Sequence, residues 1–275
     1  MSRNKKKIKK ITCKSLGLLV LCLAFIVFLV VFSFTKFIFK GNYYKVVSRT
    51  DKVKTTKIDY PNDPLQTVGW IQVQGTNIDY PVVFKETTGA YPGEISKYGW
   101  LSNFENKFTN HMRISGHNLF NLSSTPKMKS ELFERFESLM SFVYYDFAKD
   151  NKYIQFTYNG EEYVYKIFST AFISNNDKYF FPIADKYSSK EIDEYIKLLK
   201  KNSIYDYDVD VNKNDKIISI ITCTRFFGLD DNKDFRIVGR LLRKNEKINN
   251  YSVKKNNNYV KVEDKLKGDE EDVEA

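Results

Sequence analysis

The residues best suited to covalent chemistry are Cys223, His117 and two arginines, Arg225 and Arg236. A thiolate is a strong nucleophile whose pKa falls beside positive charge, and a histidine within reach can protonate the departing amine in acyl transfer. An arginine can donate hydrogen bonds to a carbonyl oxygen as it becomes an oxyanion, or fix a substrate backbone. Cys223 closes the apolar run "DKIISIITC", which reads as a strand, and His117 follows a second short strand, "HMRIS". Both arginines stay open on the residues alone. Arg225 shares a face with Cys223 if the strand continues, whereas Arg236 begins the next strand, "FRIVGRLL", which can pair alongside.

Other chemistries find less support. The two histidines, His111 and His117, with one cysteine beyond residue 40 match no zinc spacing, and no G-x-G-x-x-G or Walker pattern occurs. The run "LDDNKD" at Leu229 to Asp234 lacks the twelve-residue calcium pattern and reads as a solvated loop. No cofactor and no metal are expected. A rival reading makes Cys223 an inert buried thiol in a cell-surface binding or structural module. A papain-like protease fits less well, because its cysteine starts a helix and precedes the histidine.

The elements that must position these groups are mostly strands. "GWIQVQ" (Gly69 to Gln74) and "IDYPVVF" (Ile78 to Phe84) flank a Gly and Asn turn, with Pro81 placing the second at an edge, a bulge or a groove wall. "YGWLSN" predicts a short strand. The spacing of Leu132, Phe133, Phe136 and Leu139 predicts a helix over Ser130 to Leu139. Two antiparallel strands are expected around Asn159-Gly160. A capped helix is expected over Ser188 to Asn202, with Ile192, Ile196 and Leu199 on its apolar stripe.

The chain has 275 residues and 32.3 kDa, with 44 Lys plus Arg against 34 Asp plus Glu, a net charge of +10. Nine basic and no acidic groups lie within residues 1–40, leaving 35 against 34 elsewhere, so the folded part carries no net basic signature of a nucleic-acid binder. Residues 1–14 read as a basic cytoplasmic segment. The 21 uncharged residues 15–35 are long enough to span a bilayer and too long for a leader's apolar region, which predicts a transmembrane anchor. The seven basic residues before it leave the N-terminus cytoplasmic and the rest extracellular, in a single-pass cell-membrane protein. A stalk is expected over 36–64, the folded domain over 65–243, and a polar disordered tail over 244–275 with a marginal strand at "NYVKV". Cys13 and Cys22 lie beside or within the anchor, so the remaining thiol has no internal disulfide partner.

Four segments in order, "GWIQVQGTNIDYPVV" (69–83), "SGHN" (115–118), "ITC" (221–223) and "FRIVGR" (235–240), resemble the sortases, membrane-anchored cysteine transpeptidases of Gram-positive bacteria. The helix between the 152–173 strands and the cysteine strand, and "ELFERF" after the histidine, resemble class B. The resemblance implies a mainly β fold: a closed barrel with two or three peripheral helices. It implies His117 as acid-base group, Cys223 as nucleophile and Arg236 as the oxyanion or substrate-positioning residue, with Asn118, Ser219 and Thr222 as substrate-binding candidates. The implied reaction is cleavage of a C-terminal sorting signal after threonine, through a thioester, and transfer to a peptidoglycan amine or a pilin lysine.

Overall fold

The computed structural model describes residues 23–27, 44–56, 66–84, 99–101, 106–174, 187–228 and 233–259. The chain divides into two units, Met1–Tyr43 and Tyr44–Ala275. In the second, a short helix α1 (Thr50–Thr55) precedes strands β1 (Gln66–Val73), β2 (Asp79–Phe84), β3 (Gly99–Leu101) and β4 (His111–Gly116). A 3-10 helix (Phe136–Val143) and α2 (Tyr145–Asp150) lead into β5 (Tyr153–Tyr158) and β6 (Glu161–Ser174). Helix α3 (Ser189–Lys201), β7 (Tyr205–Tyr207), β8 (Ile217–Cys223), β9 (Lys233–Leu241) and β10 (Val253–Lys255) complete it.

Eight strands close into a barrel in the order β1-β2-β3-β4-β8-β9-β6-β5, with β1 pairing both β2 and β5. Among the described residues closure leaves the barrel without an open edge, which suits strands this rich in aromatic and β-branched residues. Ile71, Val82, Met112, Ile114, Ile154, Phe156, Ile218, Ile220 and Ile237 fill the interior. The β5/β6 hairpin turns through Asn159 and Gly160, both at positive φ (51° and 84°), the backbone that a two-residue turn matched to strand twist requires. Pro81 pairs with Trp70 of β1, while the parallel β2/β3 ladder is confined to Val82 and Val83, so the missing N–H disturbs no bond to β3.

Helix α3 starts at a capping box in which Ser188 Oγ accepts from the Glu191 N–H (3.3 Å) and Glu191 Oε2 accepts from the Ser188 N–H (2.8 Å). Tyr195, Ile196 and Leu199 face inward, and Ser169 of β6 donates to the Leu199 carbonyl at 2.7 Å.

Three sequence expectations need correction. The first concerns residues 15–35. Among the described residues no helix is long and apolar enough to cross a membrane. Only residues 23–27 of that stretch are described. Five helical residues rise roughly 7.5 Å against a hydrocarbon core of about 30 Å. The remainder of the stretch, with Cys13, Cys22 and the basic segment 1–14, lies outside the described residues. The transmembrane helix is therefore withdrawn from the fold, and with it the single-pass membrane localisation.

The second is the helix over Ser130 to Leu139, which is a turn followed by the 3-10 helix at Phe136–Val143. The side-chain amide of Asn77 donates to the carbonyls of Ser130 (2.7 Å) and Phe133 (3.1 Å), and the Phe136 N–H donates to the His117 carbonyl (2.9 Å). These outside partners displace the helical ladder, while Phe133, Phe136 and Leu139 are still buried and Leu132 is exposed.

The third is the chain beyond residue 243. Glu246 takes Lys166 Nζ at 2.8 Å and a two-nitrogen contact from Arg240, the buried Tyr251 hydroxyl bonds the Lys152 and Ile167 carbonyls, and β10 pairs with β7. The strand lies at Val253–Lys255, upstream of "NYVKV", of which residues 260–262 lie outside the described residues.

Candidate active site

Strand β8 runs parallel to β4, and their register ends with Gly116 opposite Thr222. Cys223 is the last residue of β8 and His117 directly follows the end of β4, so both lie at the same end of the strand pair. Alternation separates Ile218 and Ile220, which join the barrel core, from Ser219, Ile221 and Cys223 on the other face. Ile221 packs in a separate apolar cluster with Ala171 and Ile173 of β6.

The Gly-His step has a steric cause. A Cβ on Gly116 would lie 2.2 Å from the Phe136 ring, and the same residue's N–H holds the His117 carbonyl. Thr222 Oγ1 donates to the Gly116 carbonyl (2.7 Å), tying the two strand ends together. Asn118 Nδ2 donates to the carbonyls of Cys223 (3.1 Å) and Asn121 (3.0 Å), and Asn118 Oδ1 accepts from the Asn121 N–H at 3.0 Å. Behind the loop, the fully buried Glu137 accepts from the Arg135 N–H (2.7 Å) and the Leu119 N–H (3.5 Å). The ring of Trp100, from β3, stands 5.3 Å from that of His117 at 54°.

Electrostatics favour a neutral resting pair. Cys223 is free and open to solvent on one side, yet desolvation by the surrounding protein pushes its thiol pKa up. The Asp234 carboxylate adds to that shift; the backbone N–H of Cys223 and the charge of Arg225 partly offset it. His117 is half-buried, and burial, followed by the nearby Arg135 cation, pulls its imidazole down. Thiol up and imidazole down mean that both are uncharged near neutral pH.

Strand β9 brings the third group. Antiparallel pairing sets Cys223 opposite Asp234 and Ile221 opposite Arg236, putting Arg236 on the cysteine's face, one diagonal step away. Diagonal neighbours lie about 7–8 Å apart, within reach of a long side chain. Arg236 is buried, with Nη1 3.5 Å from the Tyr195 hydroxyl of α3 and Nε without a hydrogen-bond partner among the described residues. A desolvated guanidinium with donor capacity to spare can stabilise an oxyanion at low cost of reorganisation. Arg225 lies past the strand end, exposed.

The structure thus sets Cys223 and Arg236 on one face, with His117 just past the end of the adjoining strand. Asn118, Ser219 and Thr222 are buried and bonded to protein groups, with Ser219 Oγ 2.7 Å from His111 Nε2. Burial, reinforced by Arg236 and Arg113, pulls His111 down to about 3 and so keeps it neutral. Sequence reasoning missed Trp100, Glu137 and Asp234. Asp234 precedes Arg236 by two positions on a strand, so alternation alone puts it on the same face. Residues 229–232 of the Asp-rich run lie outside the described residues. Among the described residues no cluster of three or more His, Cys, Asp or Glu side chains is placed to hold a metal ion.

The sortase domain family model matches residues 71–241. Sortase B of Staphylococcus aureus is 24% identical over 185 residues, covering 64% of this chain and 70% of that protein. The solved structure of Clostridium perfringens sortase B is similar in fold, with a TM-score of 0.53 at 23% identity, covering 71% of this chain and 98% of that one. A Staphylococcus aureus sortase B-substrate complex gives a TM-score of 0.52 at 19% identity, covering 64% and 80%. The family match includes the ends of β4 and β8 and the start of β9, the elements that carry the thiol, imidazole and guanidinium, and the chain belongs to the sortase family of cysteine transpeptidases, with sortase B among its relatives.

Proposed function

We propose that the chain cleaves a C-terminal sorting signal after threonine through a thioester on Cys223 and passes the acyl group to a primary amine of peptidoglycan. The observation that supports this is the register of β4, β8 and β9, in which Gly116 lies opposite Thr222 and Ile221 opposite Arg236, next to His117 and Cys223 in the chain. His117 accepts the thiol proton as sulfur attacks the threonine carbonyl and gives it to the departing amine. Arg236 donates to the carbonyl oxygen as negative charge develops there. Asn118 and Thr222 fix the strand ends that carry the thiol and imidazole, so their part is to position rather than to touch the reacting atoms.

The test is a peptide panel varied around a Thr-Gly or Thr-Asn bond, incubated with and without an amine acceptor. The expected result is cleavage after threonine, with the amine adduct replacing the hydrolysis product as acceptor is added. Cleavage elsewhere, or no adduct with any amine, contradicts the reading.

A further inference from the structure

Asp234 is the residue directly opposite Cys223 in the β8/β9 ladder. Opposed side chains on one face of an antiparallel pair are about 4.5–5.5 Å apart at Cβ. Arg113 of β4 is the cation that faces this carboxylate, and Arg236 follows two residues along the same strand face. Burial outweighs the attraction of Arg113 and raises Asp234 to about 6, so this carboxylate lacks full cationic compensation. The same charge opposes the Cys223 thiolate. A thioester sulfur carries no charge, so the acyl-enzyme sets no anion against Asp234. At that stage the incoming reactant is a primary amine, cationic at neutral pH.

We propose that Asp234 forms the acceptor subsite, its carboxylate binding the ammonium end of the incoming nucleophile beside the Cys223 thioester and so favouring transfer over hydrolysis. This rests on the reading of Cys223 as the acylated nucleophile. A charge-assisted hydrogen bond holds the ammonium, whereas neutral water gains nothing comparable from the carboxylate. Neutral His117 removes one proton, the amine nitrogen attacks the thioester carbonyl, the C–N bond forms, and the C–S bond breaks with its electron pair returning to sulfur. Of the three ammonium protons, one stays on the amide nitrogen, one reaches sulfur through His117, and one leaves to solvent. One face of β9 then serves both charges of the reaction, with the carboxylate of Asp234 toward the amine and the guanidinium of Arg236 toward the oxyanion.

The experiment compares full-length wild type, Asp234→Asn and Asp234→Glu with Thr-Gly and Thr-Asn peptides, using triglycine as a cationic acceptor and hydroxylamine as one that is uncharged at neutral pH. Asp234→Asn is expected to raise the triglycine KM about tenfold and shift products toward hydrolysis, with a far smaller change in hydroxylamine transfer and with the acyl-enzyme still forming on Cys223. Asp234→Glu is expected to retain part of the triglycine preference. An unchanged triglycine KM overturns the proposal, as does an equal loss with both acceptors, which makes Asp234 a support for the arginines instead. Absence of any acyl-enzyme on Cys223 in the wild type overturns the underlying reading and this proposal with it. A defect confined to triglycine in a variant that acylates normally separates the two.

Discussion

At Cys223 two charges act on one thiol in opposite directions: Asp234 across the ladder disfavours the thiolate and Arg225 beyond the strand end favours it. Asp234→Asn is therefore expected to move the thiol titration to lower pH, and Arg225→Ala to higher pH by a smaller amount because Arg225 is exposed. The pH dependence of iodoacetamide alkylation measures both, and shifts of the opposite sign would contradict this electrostatic account. The residues proposed as nucleophile and acid-base group stand out in the sequence because the chain has few candidates, a single cysteine beyond residue 40 and two histidines. Asp234 was hidden by its neighbours. An acidic residue inside "LDDNKD" reads as part of a solvated loop until the strand is seen to begin at Lys233. Trp100 gave no signal either, because its role depends on β3 pairing with β4 at Ser115, a contact that local periodicity does not encode.

The strand ends form a joint whose parts can be broken singly. Thr222→Val keeps the shape but leaves the buried Gly116 carbonyl without its 2.7 Å donor, at a cost of about 1–3 kcal/mol in stability. In the proposed mechanism the same bond aligns His117 with Cys223, so kcat should fall further than the stability loss explains, by about tenfold at a temperature where the variant is fully folded. Denaturant unfolding and steady-state kinetics check the two parts, and unchanged kcat would show that the clamp is structural only. Gly116→Ala should be worse, since its Cβ would collide with Phe136, which cannot retreat from the core. At this scale the strands were easy to read, because apolar runs between turn residues survive closure into a barrel. The segment 130–143 was not. Its apolar spacing suits a helix, but Asn77, distant in sequence, captures two of the carbonyls that the helix needs.

Over the whole molecule, barrel closure and the C-terminal segment act together. Glu246 lies between Arg240 of β9 and Lys166 of β6, and these cations hold its carboxyl well below the usual glutamate range. A folded-state pKa below the unfolded one adds stability that is complete above the unfolded value, near 4.5, and is lost as pH falls through the native value. Glu246→Gln should therefore cost about 2 kcal/mol at pH 7, and the gap to wild type should narrow as the solution is acidified below about 4.5. A gap that persists unchanged into acid would contradict the assignment. Truncation after Arg243 also removes buried Tyr251 and Val253 and should cost more than Glu246→Gln alone, read as a lower unfolding midpoint. This attachment was illegible because its apolar residues are isolated among Lys, Asn and Ser. Its stability comes from the buried Tyr251 and Val253 and from part-buried ion pairs with β6 and β9 that only the folded barrel presents. The barrel in turn exists, on this account, to hold one thiol beside one imidazole, and the most direct test of that claim is to trap the acyl-enzyme. Wild-type protein quenched with a Thr-Gly or Thr-Asn peptide should gain the mass of the acyl fragment on the proteolytic peptide containing Cys223, and Cys223→Ala should gain none and lose cleavage by at least about 10³-fold. An adduct on another residue, or cleavage that survives in Cys223→Ala, would contradict it.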